Sequence, residues 1–567
     1  MRKYILWSLF VLIPTLITAQ NQSPQVHDSS LGLRAVAQTP SAPVKIAHNP
    51  TDGYLYVLTQ SSGIHRVDVE ANTITQVQTA SELGIEDAQG LTISSDGTFY
   101  LVGNNPDTEN ATNIVYIKRG VIDGDAWTWS TVATTAPYPL SNTDFDHIMN
   151  EIKIGPNDEY LYINSGSRTD HGEEQAVWGE GYPDEGLYPG TREVPLTAKI
   201  LKVPADSTDL FLENDLNYLN ANGYIFAEGT RNSFGLAFDG EGRLFSADNA
   251  GERDDPGEFN WLQEGKHYGF PWRIGGNDTP MQFEGYNPEE DLLLSTDSRD
   301  AIFYNDPDYP APPEDLEFTE PILNYGPDGV NYKDAETGEV LDASAQDTAI
   351  ASFTGHRSSL GLVFDADSAL SGNYTGDGFV LAFTGGNDPY FLLQHMNDPG
   401  EDLLHLELTP SGDTFTMNST RIASGFLNPI DSEIVGDKIY VLEFKNSWLN
   451  GWSQTHIWEV DFSGMSTSIN ETSPTPPPAF ALDQNYPNPF NPVTVITYKL
   501  PVKSEVTLEV FDIAGRKVTT LLDQPQFAGT HTVNFDAGHL SSGVYFYKLS
   551  VTGSQSFTKV RKMTLLK

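Results

Sequence analysis

The stretch GLAFDGEGRLFSA, from Gly235 to Ala247, alternates apolar and small residues, turns at Asp239-Gly240-Glu241-Gly242, and alternates again. Period-two alternation on both sides of a Gly/Asp turn is the signature of a β-hairpin with one face buried. Five more copies lie along the chain. They are Ile46 to Leu58 (IAHNPTDGYLYVL), Gly90 to Val102 (GLTISSDGTFYLV), Ile152 to Ile163 (IKIGPNDEYLYI), Gly361 to Phe383 with an insertion, and Ser432 to Phe444 (SEIVGDKIYVLEF). Six similar hairpins tens of residues apart predict an all-β chain with sheets arranged radially, a six-bladed β-propeller. A β-sandwich with long excursions is the alternative, but it has no need of the same hairpin six times. Helical periodicity is weak, and only pieces such as Asp209 to Leu219 read as helix. The long Gly-, Pro- and acid-rich stretches His171 to Arg192 and Trp272 to Pro321 are expected to cluster as functional loops on one face.

Composition narrows the function. The 567 residues hold 32 Lys+Arg against 78 Asp+Glu, a net charge of −46, and no Cys. Such acidity repels phosphate backbones and anionic membranes, which excludes a nucleic-acid binder. Without Cys there is no disulfide, thiolate nucleophile or Cys-held metal. Arg2 and Lys3, the apolar run Ile5 to Ile17 and Thr18-Ala19 read as a secretory signal peptide, residues 1–19. No later stretch is apolar enough to span a bilayer. A Ser/Thr/Pro-rich linker at 466–479, with Pro476-Pro477-Pro478, separates the propeller, placed at 30–465, from a tail at 480–567. From Asn485 onward nine Lys+Arg outnumber five Asp+Glu, whereas residues 1–484 carry 23 against 73.

Four motifs in order carry a resemblance. They are Asp146-His147 before Gly155-Pro156, Thr230-Arg231-Asn232 before GLAFD, Asp248-Asn249-Ala250-Gly251 before Gly257-Glu258-Phe259-Asn260, and GKHYGFP at Gly265 to Pro271. Over most of residues 40–462 the chain resembles the soluble glucose/sorbosone dehydrogenases, calcium-dependent quinoprotein propellers that oxidise aldoses with pyrroloquinoline quinone (PQQ). The resemblance implies His147 as the general base, Arg231 and Asn232 on the quinone, Gln89 beside the sugar, and the Asn249-Ala250-Gly251 turn as a calcium site whose carbonyls are the ligands. Chemically, an imidazole takes a hydroxyl proton as hydride departs, and Asp146 is expected to fix its tautomer. Arg and Asn suit carbonyl and carboxylate groups, and calcium takes hard oxygens. Each residue has a structural alternative: His147 bonded to a neighbouring sheet, Arg231 paired with the acidic surface, Asp254-Asp255 a solvated carboxylate pair. The family's further Lys and Arg on the last two sheets have no counterpart at Phe383 to Asn387 or Leu427 to Asp431, leaving Arg357 or Lys445 as replacements.

The tail's NYPNPFNP at Asn485 to Pro492, with Val510 to Arg516 and Ser542 to Tyr547, resembles the type A C-terminal sorting domain of the type IX secretion system. That implies a small Ig-like sandwich, with strands at 495–500, 505–511, 530–535, 543–549 and 555–563. It also implies the type IX machinery as partner and export through the periplasm of a Gram-negative bacterium to the surface or medium. The expected function is a secreted quinoprotein-type sugar dehydrogenase oxidising an aldose at C1 to a lactone. A calcium-dependent propeller lactonase and a non-catalytic glycan- or protein-binding propeller stay open.

Overall fold

A computed structural model describes residues 23–566 except 108–109, 125, 142–144, 174–191, 296–302, 386–391, 446–453, 467–479, 483, 486–487, 502–503, 527–528, 539 and 553–556. The proposed signal peptide and nearly all of the linker lie outside the described residues. The chain divides into two compact units, residues 1–466 and 467–567, and the all-β class read from the sequence is borne out.

All six sequence repeats are antiparallel strand pairs. Their first strands are β1 (Pro43–His48), β2 (Asp87–Ile93), β3 (Met149–Ile154), β4 (Gly235–Phe238), β5 (Ser359–Phe364) and β6 (Pro429–Val435). Each belongs to its own sheet, and each neighbours the next in order, with β6 returning to β1. One cavity of about 280 Å³ is lined from all six, by His48, Thr92, Lys153, Phe238, Phe364 and Glu433. The sixth sheet is completed from the far end of the unit, because Gly32–Gln38 pairs antiparallel with His456–Asp461. That strand covers the edge of His456–Asp461 and becomes the outer strand of the last sheet.

The core lies between successive sheets. Val102 and Val115 of the second pack with Ile152 and Leu161 of the third, and Phe379 of the fifth packs with Val441 of the sixth. Between the fourth and fifth, Phe245 has no exposed surface, and its ring lies 5.5, 4.9 and 5.8 Å from those of Phe259, Phe364 and Phe415. Phe245→Ala would open a void that these rings cannot fill, so a loss of about 3–5 kcal/mol is expected. Denaturant unfolding of the full protein measures it; a loss under about 1 kcal/mol would mean the two sheets do not share this core.

Asp209 to Leu219 corrects the helical expectation. Leu210–Leu212 is a strand beside Ala126–Thr135, and only Leu216–Ala221 is helical, started by Asp215 accepting the Tyr218 N–H. The second unit has two sheets, one of three strands and one of four, around Ile496, Leu508, Val510, Phe535, Tyr547 and Leu549. It contains a strand the sequence reading missed, Lys517–Gln526, at the edge of the larger sheet. Its Thr-Thr and Leu-Leu doublets hide the alternation, and Pro525 is tolerated because an edge strand has unpaired positions.

Candidate functional site

The candidate residues gather where the chain enters β3 and β4. His147 stands just before β3, and two backbone bonds tie it sideways: its N–H donates to the Ser167 carbonyl at 2.9 Å, and the Ser167 N–H to the Arg231 carbonyl at 2.7 Å. Ile148 takes a φ of 52°, a left-handed conformation that a β-branched residue rarely adopts and that concentrates at functional sites. Gly166 permits the close approach, since a Cβ there would lie 2.5 Å from the His147 Cβ.

The His147 Nδ1 lies 3.2 Å from both the carbonyl and hydroxyl oxygens of Ser167. Asp146, expected to hold this ring, accepts the Ser141 N–H at 2.8 Å. The ring is also hydrogen-bonded to the Phe145 backbone; a proton on Nδ1 donated to the Ser167 carbonyl would leave the lone pair on Nε2. Burial and the Arg231 guanidinium push the imidazole down to about 3, so it is neutral at any physiological pH.

Arg231 is the organising cation. Its Nη2 meets Asp170 Oδ1 at 2.7 Å, Nε donates to the Asp170 carbonyl at 2.8 Å, and Nη1 to the Asn249 carbonyl at 3.2 Å. The ion pair is with a buried Asp170 rather than with the acidic surface. Burial works against ionising Asp170, yet Arg231 holds it well below the usual carboxylate range. The Arg231 and Asn232 N–H groups both donate to the Asp248 carboxylate, and Asn232 Oδ1 accepts from Asn150 Nδ2 at 2.7 Å. His147, Arg231, Asn232 and the Asn249-Ala250-Gly251 turn are thus one hydrogen-bonded constellation. Gln89 is not joined to it by any described bond, and its Nε2 donates to Asp87 at 2.8 Å. Ser167, Asp170 and Asn150, all central here, were missed because they belong to no motif that chemistry alone singles out.

The 249–251 turn fits a hard cation. The carbonyls of Ala250 and Gly251 accept no hydrogen bond from the described residues, and the buried Asn249 Oδ1 has no partner. A Cβ on Gly251 would sit 2.8 Å from both Asp170 carboxylate oxygens, so only glycine leaves that carboxylate beside the turn. A tricarboxylate quinone is a harder fit. Arg357, one proposed replacement cation, is locked between Asp398 and Asp402. Arg231 is shared with Asp170, and a carboxylate buried without a cation is costly. A PQQ held here would need a further positive charge beside Arg231, and calcium's two charges at the turn would supply it.

Asp254 and Asp255 are not a solvated pair. Asp254 holds Lys333 at 2.6 Å and His356 at 2.7 Å, and Asp255 holds Arg253 at 2.6 Å, all largely buried.

Burial lifts several carboxyls: Glu258, also facing Asp248, to about 8, and Glu433 and Glu443 to about 7. A carboxyl whose folded pKa is raised binds more protons folded than unfolded between the two values, so stability falls as pH climbs through that window. His147 acts oppositely, but only below its unfolded value of roughly 6.5. The melting temperature in calcium-free buffer is therefore expected to fall between about pH 6.5 and 8, and Glu258→Gln to flatten the decline. A melting temperature rising over that range would contradict these shifts.

A cycle of antiparallel sheets with a neutral imidazole, an arginine and an oxygen-rich turn above two adjoining first strands defines an all-β protein with a loop-built polar site. Residues 41–291 match the family Glucose / Sorbosone dehydrogenase, and residues 484–563 match the Secretion system C-terminal sorting domain, so both resemblances read in the sequence are borne out. The aldose sugar dehydrogenase of Streptomyces coelicolor in its PQQ-bound form is similar at 16% identity and a TM-score of 0.42, over 77% of this chain and 99% of that one. The soluble aldose sugar dehydrogenase of Escherichia coli in its apo-form is similar at 13% and 0.47, over 76% and 99%. The holo PQQ domain of pyranose dehydrogenase from Coprinopsis cinerea is similar at 13% and 0.47, over 78% and 97%. No curated protein matches the chain. Among the described residues no helix is long and apolar enough to cross a membrane.

Proposed function

We propose that residues 30–465 form a six-bladed β-propeller acting as a calcium-dependent, quinoprotein-type sugar dehydrogenase. We further propose that residues 480–567 are an Ig-like sorting domain addressing it to the type IX machinery, after cleavage of residues 1–19 and passage through the periplasm. The observation that carries the catalytic reading is the neutral His147, its Nδ1 turned to Ser167 and its flank to Arg231.

In this reading the Ala250 and Gly251 carbonyls, with Asn249, hold calcium, and Arg231 and Asn232 face the quinone, which when bound accepts the hydride from the sugar. His147 Nε2 takes the proton of the C1 hydroxyl. Ser167 keeps the ring in the one tautomer able to do so, and Asp170 steadies the Arg231 guanidinium that lowers the ring's proton affinity. A negative group set against Arg231 relieves that effect and makes the imidazole a stronger base, closer to the range where general bases work best. Gln89 and Asp146 are kept as lesser candidates, beside the sugar and behind the histidine loop.

The test is dye reduction by aldoses after loading the mature protein with calcium and PQQ. Turnover is expected with at least one aldose and is abolished by a calcium chelator; turnover unaffected by chelation would remove calcium from the account. The unpartnered Asn249 Oδ1 also favours a second reading, a calcium-dependent lactone hydrolase, which predicts lactone opening with calcium and no quinone.

A further inference from the structure

A second cleft lies at the opposite end of the sheets. His147, Arg231 and Asn232 precede first strands, whereas Asn49 to Tyr54 and Ser94 to Thr98 are the turns that leave β1 and β2. The first strands run the same way: Ile154 at the end of β3 donates to Thr92 near the end of β2, and a Cβ on Gly90 would meet Ile152. The two turns, with Val121, Gly124 and Trp127, line a cleft of about 440 Å³. That is within the range of small-ligand sites.

The cleft's wall combines flat rings with planar polar groups: Tyr54, Trp127, Asn49, Asp52, Asp96 and Arg66. Trp129 stacks on Trp127 at 5.6 Å and 12°. Trp127 lines the cleft, and Trp129 does not. Edge contacts from Phe99 at 4.7 Å and Tyr56 at 6.4 Å hold the indole in place. The Arg66 guanidinium lies exposed over the Tyr54 ring, 4.6 Å from its centroid, and forms no ion pair or hydrogen bond with the side chains of the described residues. In a unit so rich in carboxylates, an arginine left unpaired retains its N–H donors for a ligand. Asp52 accepts from the Tyr54 N–H, the Tyr56 hydroxyl and, at 3.4 Å, the Asn49 amide, and a carboxylate has capacity for about four such bonds.

We infer that this cleft binds an uncharged oligosaccharide, independently of the sugar-oxidising site. The Trp127 and Tyr54 rings supply apolar surface for the C–H faces of pyranose units, while Asp52 accepts from their hydroxyls and Arg66 donates to them. Two carboxylates in the wall, on a unit this acidic, exclude polyanionic glycans and phosphates. The ligand class follows from that balance, whatever the upper site does.

Calorimetric titration of the full mature protein with cellohexaose, mannohexaose, xylohexaose and laminarihexaose tests this. At least one is expected to bind with Kd of about 1 mM or tighter. That affinity should weaken by about tenfold or more in both Trp127→Ala and the surface variant Arg66→Gln, each shown folded by its melting curve, and persist in His147→Gln. Absence of binding by all four, or binding unchanged in Arg66→Gln and Trp127→Ala, would overturn the inference. Binding lost only in His147→Gln would place the glycan at the upper site and overturn it too. Failure of sugar oxidation leaves the test intact, because the readout is binding at residues the reaction does not use.

Discussion

Replacing His147 by Gln is expected to lower kcat for sugar oxidation by about 10² to 10⁴, the usual worth of a positioned general base. The amide can still donate to the Ser167 carbonyl and fills much of the same space, so the loops around β3 have little cause to move. Calcium affinity should be unchanged, since the carbonyls of Ala250 and Gly251 belong to a different loop. Steady-state dye reduction beside a calcium titration separates the effects. A variant with full kcat would show that the proton leaves by another route. A variant that lost calcium and turnover together would show His147 to be structural.

Deleting Phe480 to Lys567 is expected to remove nearly all of the protein from the medium and leave a folded propeller in the periplasm. The physical ground is that the tail has its own core around Leu508, Val510, Tyr547 and Leu549, and residues 1–466 form a compact unit without it. Losing the tail therefore removes an address and not a support. Fractionation with a melting curve of the retained protein measures this. Normal release of the truncated chain would end the sorting reading, and a periplasmic aggregate would show that the first unit needs its tail.

Much of this architecture is legible in the sequence because a hairpin states its own rule locally: alternation, a Gly/Asp turn, alternation. The six repeats are found as antiparallel pairs for that reason. What stays hidden depends on distance along the chain. Gly32–Gln38 finds its partner at His456–Asp461, and nothing near either strand announces the other. The site shows the same division. His147, Arg231 and Asn232 stand in motifs and meet in space, but the groups that set their chemistry, Ser167 and Asp170, come from the loop after the next strand. Asp146 shows the limit of adjacency: the described bond of its carboxylate goes to the Ser141 N–H, a partner that sequence neighbourhood to His147 does not announce. Asp254 and Asp255 misled because the charge count hides where Arg253, Lys333 and His356 fold back to meet them.

The central claim is that a neutral His147 works beside a quinone that the protein can hold only with calcium at the 249–251 turn. Calorimetry of the wild-type protein with PQQ, once saturated with calcium and once with chelator, tests it most directly. Binding at roughly tens of micromolar or tighter in calcium and none in chelator is the predicted result. No binding in calcium, or equal binding in both, would contradict it.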